Sequence, residues 1–265
     1  MRQIAKEIRG LTCECIASIG QGHIGGSLSI VDTLTMLYYK HMNVDPKNPK
    51  MEGRDRLVVS KGHAGPAVYA TLCHKGYISY DDLLTLNRYK TNLPSHCDMN
   101  KTPGIDMTTG SLGQGISCAV GMALASKLSK DNAYIYCIIG DGESQEGQVW
   151  EASMYAAQTK LNNLIVFLDN NGMQIDDYTK NINSLIEPSK KWESFGFYTQ
   201  SIDGNDLQQI DEAINNAKKC IDKPSMIVLN TIKGKGVSFI EELKVGSHST
   251  NISKELLEKA LEELK

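Results

Sequence analysis

Two uninterrupted apolar runs, Tyr134–Ile139 and Leu164–Leu168, each end in a polar turn that carries glycine, and this pairing constrains the fold more than any other feature. Runs of this length without alternation suit strands buried on both faces, which belong to parallel sheets covered by helices. The first run continues into Gly140–Asp141–Gly142 and the second into Asp169–Asn170–Asn171–Gly172. Gly147–Lys160 between them has helical spacing, so the segment reads strand–helix–strand. A stretch of 27 residues separates Gly142 from Asn170, the length of a crossover that sets two parallel strand ends side by side. A carboxylate and an amide oxygen then converge, a pairing that suits a hard cation sharing phosphate and water ligands.

The rest of the chain repeats the alternation. Ile4, Ile8, Leu11, Cys15 and Ile19 predict an opening helix, and Gly20–Gly26 a glycine-rich turn that ends it. Ser29 is placed to cap a second helix running to about Lys40. Arg56–Ser60 reads as a short strand, His63–His74 and Gln114–Leu128 as helices, and Pro94–Gly104 as loop. Strand Tyr198–Ile202, helix Leu207–Cys220, strand Met226–Thr231 and a charged helix Lys254–Lys265 complete the pattern. The expectation is one domain over residues 1–265. It is α/β, doubly wound, with a mainly parallel sheet, helices on both faces and ligands beyond the strands' carboxyl ends.

A net charge of −3 predicts no general grip on nucleic acid or on anionic membrane. The apolar runs are too short to span a bilayer, and the first ten residues hold no signal-like apolar stretch. The seven cysteines form no CxxC pair, which fits a reduced, cytoplasmic protein. There is no GxxxxGK[ST] run, and the Gly110–Gly115 order is not GxGxxG, which argues against a nucleotide binder.

The GDG, the spacer and the NN together resemble the thiamine diphosphate motif, and four neighbouring segments narrow the family. Gln21–Ser29 is similar to the GHPGGSLS segment of transketolases, Ser60–Ala64 to SKGHA, Thr109–Gly115 to TGPLGQG and Gly140–Gly147 to GDGxxQEG. They occur in family order along nearly the whole chain. The resemblance implies the thiamine-diphosphate-binding fold and names the site. Asp141, Asn171 and the Met173 carbonyl would hold Mg2+ or Ca2+. His63, Gly110, Ser111, Leu112, Asp141, Gly142, Glu143, Asn171, Met173, Ile175 and His248 would contact the cofactor. His23, His63, His96 and His248 would face the substrate, with Glu146 at a subunit contact. Two matches are loose: Pro94–Asp98 departs from the family's PGHPE-like segment, and serine rather than glycine follows His248.

The resemblance also implies two-carbon ketol transfer between sugars, phosphorylated or not. In full-length transketolases the cofactor's pyrimidine ring belongs to a second domain. A separate C-terminal subunit is therefore expected here, in an α2β2 assembly. The alternatives are a subunit of a 2-oxo-acid dehydrogenase E1 or of a deoxyxylulose-phosphate-synthase-like enzyme, or a cofactor-binding subunit without turnover. Among other residues, Lys233 and Lys235 read as a solvated turn, His41 and His74 as surface or capping histidines, and Met36, Met122 and Met154 as core fillers.

Overall fold

The computed structural model describes residues 1–265. Its main sheet has five parallel strands in the order β2-β3-β4-β6-β5. These are β2 (Arg56–Val59), β3 (Ile135–Gly140), β4 (Leu164–Asn170), β5 (Tyr198–Asp203) and β6 (Ser225–Asn230). A two-stranded antiparallel pair, β1 (Gln21–Gly22) with β7 (Thr250–Asn251), lies apart from it. Both apolar runs are central strands, and Gly140 is paired with Asp169, so the two polar turns emerge together.

Side-chain alternation sorts the strands' residues between two cores. Tyr136, Ile138, Ile165, Phe167, Ile227 and Leu229 face one layer. It is built by α1 (Arg2–Ala17), α2 (Ile24–Leu28), α3 (Val31–Met36), α4 (Gly65–Lys75) and the short α5 (Tyr80–Leu83). Ile135, Cys137, Ile139, Val166, Leu168 and Val228 face the other. That layer holds α6 (Gln114–Ser129), α7 (Gly147–Gln158) and, beyond the four-residue α8 (Thr179–Ile182), α9 (Pro188–Ser194). The chain then returns to the first layer with α10 (Leu207–Lys219), α11 (Ser238–Glu242) and α12 (Lys254–Glu263). The doubly wound expectation holds, with strand and helix ends shifted by at most two residues, except that the second helix passes after Met36 into a π-helical turn over Leu37–His41.

Several local expectations are corrected. Gly25 and Gly26 lie inside α2 rather than in a turn, and His23 is its N-cap. Packing outweighs the low helix propensity of glycine there: a Cβ on Gly25 would collide with Ser247 Oγ and stand 2.6 Å from the Ser247 carbonyl oxygen. Ser29 is the C-cap of α2 rather than the N-cap of the next helix, a place taken by Ile30; its hydroxyl donates to Asp169 at 2.7 Å. His41 is buried against Asp211 at 2.9 Å, and His74 bridges Tyr39 and Glu7. Met154 is 57% exposed on α7, so it fills no core.

Candidate functional site

The turns after β2, β3, β4 and β6 open into one cleft of about 600 Å3. His23, Lys61, His63, His96, Gly110, Leu112, Asp141 through Glu143, Glu146, Asn171, Met173, Ile175, Lys233 and His248 all line it. A larger cleft of about 790 Å3 lies between α1, the end of β5 and α12. It holds none of the motif residues, which makes the first the candidate site. Ser111 is the one expected cofactor contact not brought in: it is exposed and outside the lining, although Gly110 and Leu112 beside it belong to it.

Asp141 leaves the end of β3 with 3% exposure. Its Oδ1 accepts from Gly142 N–H at 2.8 Å, and its Oδ2 from Gly172 N–H at 2.6 Å, so the two turns are stapled through one carboxylate. Burial, helped by the charge on Asp169, pushes its pKa up to about 6. A nearby cation would reverse that shift, because it favours the ionised form. Asn171 Oδ1 accepts from Met173 N–H at 3.1 Å, and the Met173 carbonyl accepts no hydrogen bond within the chain. No cluster of three or more His, Cys, Asp or Glu side chains forms a metal site anywhere. One carboxylate, one amide oxygen and one free carbonyl nevertheless fit a hard divalent cation whose other ligands are phosphate and water.

Asp169 and Lys61 form a fully buried ion pair beneath these groups, Nζ to Oδ2 at 2.5 Å, with side chains 0% and 1% exposed. Burial would raise the pKa of Asp169, but the Lys61 ammonium and the Thr231 and Ser29 hydroxyls outweigh it and hold the pKa low. Lys61 also donates to the Gly26 carbonyl at 2.8 Å, which ties α2 to the β2 turn. Glu143, expected to touch the cofactor, turns inward. Its Oε1 accepts from Ser60 Oγ and, at 2.9 Å, from Gly113 N–H; its Oε2 accepts from Gly140 N–H at 2.9 Å. It braces three motif segments from behind.

Four histidines close the opposite wall. Ring centroids of His23 and His63 are 5.6 Å apart, of His23 and His248 5.3 Å, of His63 and His248 5.1 Å, and of His23 and His96 5.9 Å. His248 arrives through the pairing of Gly22 with Thr250 and through the Ile252 N–H bonded to the Gly20 carbonyl at 2.9 Å. Burial lowers the pKa of His23, His63 and His248, the last to about 4, with Lys233 adding repulsion. These three rings are neutral at pH 7, able both to accept and to donate a proton.

The reading of Lys233 as solvated does not hold: it is 4% exposed and lines the cleft. It makes no salt bridge, unlike Lys61. Burial, then the Lys61 charge, lowers its pKa to about 8. A buried cation without a carboxylate partner, facing a cleft, calls for an anionic ligand. The sequence hides it because a lysine between Ile232 and Gly234 has no local mark of burial. Lys61 and Asp169 are hidden for a related reason, since the two partners lie 108 residues apart. Ile175 is 64% exposed at the cleft's rim, and Glu146 is exposed at the N-cap of α7, its Cβ 2.9 Å from where a Cβ on Gly113 would stand.

Fold and cleft define a class: an α/β domain that gathers oxygens suited to a cation, an unpaired lysine and a histidine wall at the carboxyl ends of parallel strands, as a thiamine diphosphate enzyme needs. Residues 1–263 match the family model described as transketolase, thiamine diphosphate binding domain, and the chain belongs to the transketolase family. It is 55% identical over 98% of its length to the 6-deoxy-6-sulfo-D-fructose transketolase subunit of Clostridium sp. strain MSTE9, of which it covers 94%. It is 41% identical to an apulose-4-phosphate transketolase subunit of Actinobacillus succinogenes, over 92% of this chain and 88% of that one. The transketolase of Campylobacter jejuni superposes with a TM-score of 0.92 at 34% identity over 99% of this chain. This chain spans 42% of that enzyme's length.

Proposed function

We propose that this chain is the subunit of a split transketolase that holds the metal and the cofactor's diphosphate. It would work with a separate pyrimidine-binding subunit, two copies of each, in the cytoplasm. The observation that carries the reading is the convergence of Asp141, Asn171 and Met173 with Lys233 and four histidines in one cleft. Asp141, Asn171 and the Met173 carbonyl would take Mg2+ or Ca2+, and Lys233 and His63 would take the diphosphate. The seven free cysteines suit a reducing compartment, and no helix is long and apolar enough to cross a membrane.

Bound thiamine diphosphate supplies a carbon nucleophile that carries a two-carbon unit between sugars. This chain's residues orient that chemistry and manage its protons. His23, His63 and His248, neutral at working pH, would accept protons from sugar hydroxyls and return them, with His96 beside His23 on the same wall. The rings also offer N–H donors where oxygen charge develops. Glu146 would sit at the subunit contact. The substrates would be ketoses and aldoses with an anionic end group, since one relative is named for a sulfonated sugar and another for a phosphorylated one.

The test is reconstitution. The chain is co-expressed with the pyrimidine-binding subunit from the same cells and assayed with Mg2+, thiamine diphosphate and a panel of sulfo- and phospho-ketoses. Ketol transfer to an aldose acceptor that needs both chains supports the proposal. Cofactor binding without transfer under any pairing would leave a binding subunit without turnover.

A further inference from the structure

We propose that Asp169 is a positioning residue that fixes which face of the Asn171 amide meets the cation. The inference rests on the reading of the cleft given above. Asn171 Nδ2 donates to Asp169 Oδ2 at 2.9 Å, and Asn171 Oδ1 accepts from Met173 N–H at 3.1 Å. The two ends of a side-chain amide are nearly the same size, so only their neighbours can choose between them. A carboxylate can only accept and a backbone N–H can only donate. Together they leave one orientation, with Nδ2 towards Asp169 and Oδ1, with its spare lone pair, towards the Met173 backbone.

Asp169 is itself fixed. It is 0% exposed at the end of β4 and accepts from Ser29 of the α2 C-cap at 2.7 Å, from Lys61 at 2.5 Å and from Thr231 beyond β6. Three separate segments therefore hold the carboxylate that holds Asn171. Groups that orient a metal ligand from behind typically change metal affinity about 10- to 100-fold when removed.

Two double variants isolate this effect from charge. Lys61→Met/Asp169→Asn and Lys61→Met/Asp169→Leu both delete the buried ion pair and carry the same net charge. Replacing such a pair by uncharged side chains of similar volume is often tolerated. The asparagine of the first variant would turn its oxygen towards the Ser29 and Asn171 donors and keep Asn171 in place; the leucine of the second cannot. The readout is Mn2+ affinity of the full chain in the presence of thiamine diphosphate, by electron paramagnetic resonance, with urea unfolding of each variant alongside.

The expected result is Mn2+ affinity lower by about 10- to 100-fold in the leucine variant than in the asparagine variant, with both unfolding cooperatively. Equal affinities would overturn the proposal while leaving the reading of the cleft intact. Absence of Mn2+ binding by the wild type would overturn both. Should a double variant fail to fold, Asn171→Asp decides. It adds negative charge and would tighten cation binding on charge alone, but it sets a carboxylate against Asp169. Weaker Mn2+ binding supports the positioning role, and tighter binding overturns it.

Discussion

Glu143 and Lys233 are two charged side chains below 5% exposure that the fold treats in opposite ways. Glu143 has every oxygen engaged by a donor from a different motif segment: Ser60, Gly113 and Gly140. Glu143→Gln keeps the shape but must turn its NH2 group towards at least one of those donors. An orphaned buried N–H costs about 1–3 kcal/mol, so urea unfolding should register a loss of that size, and cofactor affinity should fall with it. Lys233 has no partner of its own, so Lys233→Met should stabilise the cofactor-free chain at pH 7 while weakening diphosphate binding at least about tenfold. The stability gain corresponds to roughly 3 kcal/mol at most for a lysine brought from 10.5 to about 8. Its pH dependence follows from linkage: between about 8 and 10.5 the unfolded chain holds a proton that the native chain has lost, so the wild type gains stability as pH rises there. The difference between variant and wild type should therefore be full below about pH 8 and fade by about 10.5, as thermal unfolding across that range would reveal.

At the scale of elements, the site depends on loops that approach one another more closely than side chains allow. A Cβ on Gly62 would stand 2.7 Å from Gly110 N and 2.8 Å from the Thr109 carbonyl carbon, both backbone atoms that cannot swing away. Gly62→Ala should therefore separate the turn after β2 from the loop before α6, at a cost of about 1–3 kcal/mol. Cofactor affinity should drop by more than stability alone explains, which a titration on the folded variant would measure. These contacts also mark the limit of what the sequence conveyed. β3 and β4 were legible because a strand buried on both faces must be apolar throughout, and the spacing between their turns fixed which ends met. The glycines of α2 were not, because a side chain on Gly25 is shut out by Ser247 and Lys233, and one on Gly26 would crowd Lys61 and His63 at 3.3 Å, all distant in sequence. Local propensity reads such a pair as a turn, and only tertiary crowding makes it a helix.

For the whole molecule, the alternation of two cores across one sheet was readable from period and order, whereas the charge economy of the cleft was not. Sequence supplied the candidate ligand oxygens and the histidines. It did not supply the buried Lys61–Asp169 pair beneath them or the free ammonium of Lys233, since both depend on strands β2, β3, β4 and β6 lying side by side. The finished cleft is lopsided: most of its lining is polar, suited to the proposed cation and diphosphate, while Leu112 and a largely exposed Ile175 are its chief apolar contributions. Binding energy available to the isolated chain should therefore come almost wholly from the diphosphate end. Inorganic pyrophosphate and thiamine diphosphate, each with Mg2+, should bind it within about tenfold of one another, since a few partly exposed apolar contacts contribute on the order of 1 kcal/mol. Adding the pyrimidine-binding subunit should leave pyrophosphate affinity nearly unchanged and tighten thiamine diphosphate by at least about a hundredfold, the equivalent of roughly 3 kcal/mol. Competition calorimetry on the chain alone and on the pair would measure both. A preference for thiamine diphosphate of about a hundredfold already present in the isolated chain would mean that this domain grips the organic half of the cofactor as well, through Leu112, Ile175 and the histidine wall.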